Sequence, residues 1–228
     1  MLSSLELHPA QIADRVLLTR HGTSLPSCNA SVLRGAFGFM VVSVAGFCPW
    51  AIWGRTLSAS VGELGMYLAC LVVFLGLCGP LLHRLILGPG SLGRFYKLFG
   101  ISFALYSVAW IAAWMRIGGH LGSSVGLFLG VLLMTLVLSK TVDAREVFVP
   151  MLIALFLLNV LGYFGGGWVE GWIVSAKPLS RGTWAMSKRA EVRVAQLMWG
   201  VCYGLGFGAG LGFAFHLCQE KARALLVR

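Results

Sequence analysis

Charge is scarce in this chain, and acidic charge scarcest of all. Eight of its 228 residues are Asp or Glu, and only 11% are charged against 58% hydrophobic. Soluble domains carry about 25% charged residues, so a chain of this composition has lipid for most of its solvent. The acids are Glu6, Asp14, Glu63, Asp143, Glu146, Glu170, Glu191 and Glu220, and each falls in a loop or at the end of an apolar run. Ion-coupled transporters and proton pumps retain an ionisable side chain at membrane depth. None is legible here. Also missing are any CxxC pair among the six cysteines, an HExxH motif, a paired-carboxylate array and a glycine-rich phosphate loop backed by lysine. Five of the cysteines sit in apolar runs and read as small buried hydrophobes. No metal site and no cofactor is expected. No apolar core of 7–15 residues follows a basic start, so no cleaved signal peptide is expected either.

Glycine, by contrast, is abundant, with 30 residues, and it is ordered where it matters most. Ala195–Cys218 is long and apolar enough to span a bilayer, and Gly200, Gly204, Gly208 and Gly212 recur along it every fourth residue. That spacing places them on one helical face, where a neighbouring helix can approach closely. A second ladder, Gly122, Gly126 and Gly130, opens another apolar run and is expected to pair with the first.

The pattern of apolar runs predicts an all-α integral membrane protein, a six-span helix bundle with glycine-ladder packing. The spans are expected at 35–53, 64–87, 98–115, 121–139, 147–164 and 195–218, together forming a transmembrane domain over 35–218. Residues 1–34 read as a polar arm with a short interfacial helix near Pro9–Arg20, and 219–228 as a basic tail. Pro80 is expected to kink the second span, because it cannot donate to the carbonyl of Gly76. Pro150 falls in the first turn of the fifth, where a missing N–H is harmless. Gly165-Gly166-Gly167 reads as the start of a long linker over 165–194.

The net charge of +10 is scattered over short loops, so it reads as a topology signal rather than a nucleic-acid surface. Arg15, Arg20, Arg34, Arg84, Arg94, Lys97, Lys140, Arg145, Lys221, Arg223 and Arg228 would share one side, against Arg55 and Arg116 on the other. Both termini are therefore expected in the cytoplasm. The 165–194 segment dissents, carrying Lys177, Arg181, Lys188, Arg189 and Arg193 on the outer side.

Leu17-Leu18-Thr19-Arg20-His21-Gly22-Thr23-Ser24 resembles the Leu-x-Arg-His-Gly-x-Thr signature of histidine phosphatases. That resemblance would make the His a phosphoryl acceptor and the Arg its counterion. The chemistry also requires a preceding strand, further Arg and His ligands and a soluble α/β domain, whereas the sequence that follows is apolar. An intramembrane enzyme ranks third among the functional classes, after a non-catalytic subunit and a transporter or channel.

Four sets of side chains remain as candidates. Asn159, the one carboxamide in the body of a span, and Tyr163 lie a helical turn apart and form a polar site or interhelical glue. Glu63 stands at the mouth of the second span with Tyr67 one turn deeper, a helix-start carboxylate or a cation gate. His83, His120 and His216 lie near span ends, as interfacial residues or haem ligands. Arg84, Arg94 and Lys97 flank Gly88-Pro89-Gly90 as contacts for anionic lipid or an acidic partner. The expected role is a non-catalytic subunit, scaffold or assembly factor, associating with other membrane subunits or with itself. The alternative is a small transporter or channel.

Overall fold

The computed structural model describes residues 5–19, 25–175 and 187–227. Among them regular structure is helical throughout, and no strand occurs. The helices are α1 (Pro9–Thr19), α2 (Cys28–Leu82), α3 (Ser91–Ile117), α4 (Gly119–Thr141), α5 (Phe148–Ser175), α6 (Lys188–Cys218) and α7 (Glu220–Val227). Short 3-10 turns at His83–Leu85 and Arg145–Val147 extend α2 and precede α5. Five of these helical units are long and apolar enough to cross a membrane: Cys28–Leu85, Ser91–Ile117, Gly119–Thr141, Arg145–Ser175 and Lys188–Cys218.

The first of the five contains both of the first two expected spans. Gly62 interrupts it at φ 75°, ψ 172°, a region essentially closed to residues with a Cβ. Beyond that point the chain folds back on itself. Phe39 stacks on Phe74 with ring centroids 5.8 Å apart, Phe47 meets Phe74 edge-on at 5.2 Å, and Ser58 donates to Met66 Sδ at 3.4 Å. These pairs make 28–61 and 63–82 the antiparallel arms of one hairpin. Pro80 lies inside the second arm, and the carbonyl it cannot serve, that of Gly76, instead accepts the Tyr96 hydroxyl at 2.7 Å.

A second reversal joins α3 to α4 through Gly118 and Gly119, both at positive φ. Here Gly122, Gly126 and Gly130 face Ala113, Trp110 and Tyr106 of α3. The expected pairing of this ladder with the last span is thus corrected: sequence neighbours joined by a tight turn meet first. The ladder of α6 faces the first arm of α2 instead. A Cβ on Gly204 would fall 2.5 Å from Met40 Cα, and one on Gly208 would fall 2.7 Å from Phe39 Cβ. The opposite side of α6 is also bare, with Gly206 and Gly210 against Leu158, Gly162 and Leu155 of α5.

The expected 165–194 linker is corrected as well. α5 continues through the three glycines to Ser175, and α6 begins at Lys188. Gly166 and Gly167 pack on Trp199 while Gly165 faces open space, so the triplet is part of a helix rather than a break. Residues 176–186 lie outside the described residues. At the other boundary α2 starts at Cys28, inside the expected arm, with Ser27 accepting from the Ala30 N–H as its N-cap.

The helix expected in the arm is present as α1, and part of its apolar face packs inward while Leu17 and Leu18 stay exposed. Ile12 and Ala13 are buried, and α1 packs against α7, whose Ala222 and Leu226 are buried too. Arg94 holds the arm in place. It bonds the Leu5 and Pro89 carbonyls at 3.1 and 3.2 Å, the Gly90 carbonyl at 3.0 Å and the Glu6 carboxylate at 2.8 Å. Burial and the Arg94 charge lower the pKa of Arg15 beside it, and Glu6 opposes that shift. The tail is likewise a packed helix. Gln219 is buried, accepting from the Leu87 N–H at 2.7 Å and donating to the Leu85 and Phe215 carbonyls at 2.8 and 2.7 Å.

Candidate functional site

Two aromatic ladders face each other across the bundle. On α3, Phe95, Phe99 and Phe103 stack in succession, and Phe103 stacks on Tyr106. On α6, Trp199, Tyr203 and Phe207 stack in the same way at every fourth residue. Helical spacing aligns each set. Phe39 closes the space between them at one level, with Phe207 4.8 Å away and Phe103 5.9 Å away. Toward the end of the bundle that holds Gly62 and Gly118 the ladders leave a cavity.

Its inner part, about 80 Å³, lies among Phe47, Tyr67, Phe74, Phe103, Tyr106, Trp110, Tyr163, Trp199 and Tyr203. A wider mouth of about 410 Å³ shares Phe47, Tyr67, Cys70, Trp110, Tyr163 and Trp199 with it and adds Trp50, Trp114, His120, Ser123 and Glu170. A third space of about 800 Å³, a polar vestibule, shares Trp50 and Tyr67 with that mouth. The vestibule is lined by Arg55, Glu63, Arg189, Arg193 and Gln196 among others.

Polar groups converge on the inner cavity. Tyr203 donates to the Tyr106 hydroxyl at 3.2 Å, and the Asn159 amide donates to the same oxygen at 3.1 Å. Asn159 is fully buried, and its Oδ1 has no hydrogen-bond partner among the described residues. At the mouth, Tyr163 and Ser123 share a hydrogen bond of 3.0 Å, and Tyr67 donates to Glu63 at 3.3 Å.

The sequence candidates are therefore divided by the fold. Glu63 and Tyr67 do meet. Tyr163 lines the cavity and bonds Ser123 at its mouth, whereas Asn159 lies behind the wall and bonds Tyr106. His83 Nδ1 bonds the Gly79 carbonyl at 3.0 Å, the His120 ring lies 5.9 Å from Phe164, and His216 Nδ1 is buried without a hydrogen-bond partner among the described residues. Among the described residues no group of three His, Cys, Asp or Glu side chains gathers where a metal ion could be held. Arg94 is engaged by the arm, whereas Arg84 and Lys97 are exposed. The helix α1 occupies Pro9–Thr19, where the phosphatase signature needs a strand, and Arg20–Ser24 lie outside the described residues. Sequence reasoning did not single out Tyr106, Trp110, Trp199 or Tyr203 as a site. Their signal was the four-residue aromatic spacing on α3 and α6.

No family model matches this chain, and neither the curated proteins nor the solved structures give a match. The geometry alone carries the functional argument.

Proposed function

We propose that this chain is a six-crossing integral membrane protein that binds an apolar organic molecule in the aromatic cavity, as a small carrier does. The observation that carries the reading is the cavity wall: Phe47, Tyr67, Trp110, Tyr163 and Trp199, with the Tyr106 and Tyr203 hydroxyls at its inner end. Small-molecule sites have this character, a mostly apolar and aromatic concavity with a few placed polar groups. The reversal at Gly62 supports six crossings, each arm of α2 counting as one. The bare faces of α6 support the ladder Gly200, Gly204, Gly208 and Gly212 as the seam that seats α2, and Gly122, Gly126 and Gly130 as the seam between α3 and α4. Both termini are placed in the cytoplasm by the basic residues of the short loops.

Dodecanol is the test ligand, added to the protein in phosphatidylcholine nanodiscs and followed by tryptophan fluorescence against empty nanodiscs. Saturable quenching is expected. Ser107 lines the inner cavity, so Ser107→Trp should fill it and abolish the effect. Non-saturable partitioning, identical in the variant, would remove the reading.

The scaffold reading retains one specific support. Gly93 and Gly100 of α3 and Gly171 of α5 have nothing within 4 Å of where a Cβ would stand. Another membrane helix, from a partner subunit or a second copy, would seat on such open positions. Cross-linking in native membranes through cysteine at Gly100 checks it, with a discrete adduct expected.

A further inference from the structure

The vestibule beside the cavity gathers positive charge that the fold does not neutralise. Arg55 comes from the first arm of α2, and Arg189 and Arg193 lie one turn apart on α6, so both reach the same side of that helix. None of the three guanidinium groups makes a hydrogen bond or ion pair among the described residues. Of the nearby acids, Glu191 pairs with Lys188 at 3.2 Å, and Glu63, which accepts from Tyr67, is one carboxylate against three guanidinium groups. Cations in excess of their counterions repel one another, and each guanidinium is a fork suited to carboxylate or phosphate oxygens. Trp50 and Tyr67 line both this vestibule and the aromatic mouth, so charged and apolar surfaces adjoin at two side chains.

We infer that the vestibule takes the anionic head of the same ligand whose apolar body lies in the cavity, a single-chain amphipathic carboxylate or phosphate. The inference rests on the cavity reading above. The narrow inner cavity suits one alkyl chain or flat ring. Tyr67 stands at the junction, its ring edge-on to Trp110 and its hydroxyl turned to Glu63. Glu63 then repels a head group that sits too deep, holding it on the arginine side of the vestibule.

The experiment compares dodecyl phosphate, dodecanol and inorganic phosphate on the whole protein in phosphatidylcholine nanodiscs. Dodecyl phosphate is expected to bind about tenfold tighter than dodecanol, which corresponds to about 1.4 kcal/mol. That advantage should shrink with added salt. It should vanish in the triple variant Arg55→Gln, Arg189→Gln and Arg193→Gln, with dodecanol binding unchanged. The triple Arg→Lys variant should keep much of it, and the salt titration of the parent protein provides an arm that needs no variant. Equal affinity for dodecanol and dodecyl phosphate would overturn the inference and leave the cavity reading standing. Failure of both chain-bearing ligands would overturn the cavity reading and the inference with it. Inorganic phosphate binding as tightly as dodecyl phosphate would make the vestibule a site for free anions and overturn the link to the cavity.

Discussion

The side-chain amide of Asn159 donates to the hydroxyl of Tyr106 at 3.1 Å, with both residues buried. Tyr203 donates to the same oxygen, so one hydroxyl ties α5, α3 and α6 together beside the inner cavity. Tyr106→Phe removes that acceptor and strands two donors. It should cost about 1–3 kcal/mol in thermal unfolding in detergent, because a buried donor without a partner loses its full desolvation energy. Adding Asn159→Leu removes one stranded donor and should recover part of the loss. A double variant less stable than the sum of the two single changes would contradict this account.

The seam between α6 and α2 makes a sharper prediction. Gly208→Leu places a branched side chain where even a Cβ would meet Phe39, and Gly204→Leu does the same against Met40. Each should lower stability by about 1–3 kcal/mol or more while leaving membrane insertion intact. Gly100→Leu, with open space at its Cβ, serves as the control and should be near neutral. Parental stability in both seam variants would mean that the ladder faces lipid.

Gln219→Leu tests the tail. It leaves the Leu87 N–H and the Leu85 carbonyl without their present partner in a buried place, at about 1–3 kcal/mol for each. Amide exchange should quicken at 85–87 before it does in the body of α3.

The three basic residues near Gly88-Pro89-Gly90 should separate by function. Arg94→Gln releases Leu5 and Glu6, so limited proteolysis should cut the N-terminal arm faster while the helices stay protected. Arg84→Gln with Lys97→Gln should leave the arm alone and reduce co-purifying anionic lipid, by about 1 kcal/mol of attraction per residue at low salt. An unchanged lipid yield would leave those two residues with an orienting role only.

Much of the fold was legible because lipid imposes simple demands. Runs of apolar residues had to be helices, and Pro150 marked a beginning. What misled was glycine. Gly165–Gly167 looked like a linker because glycine weakens helices in water, yet against Trp199 it let α5 approach α6. The second bare face of α6, at Gly206 and Gly210, was hidden behind the more regular ladder two residues away. Partner choice was the part spacing never encoded. Two glycine ladders look alike, and only the short Gly118–Gly119 turn decides that one of them serves α3. The cavity was harder still, since it needs aromatics from α2, α3, α5 and α6 that lie more than 130 residues apart, from Tyr67 to Trp199.

The seam between α2 and α6 also dictates an order of events during synthesis. The surface that α2 seats on is made after the four other apolar helices, so Gly35 and Met40 wait with their docking face unoccupied. Arg223 then reaches the Pro26 carbonyl at 2.7 Å, joining residues 197 positions apart. A nascent chain halted before Ala195 would carry an assembled α3–α4 hairpin and a first arm of α2 without the glycine face it seats on. Proteases that survey the membrane would meet such a chain with its first helix unclaimed, and completion of α6 is the event that withdraws it from them.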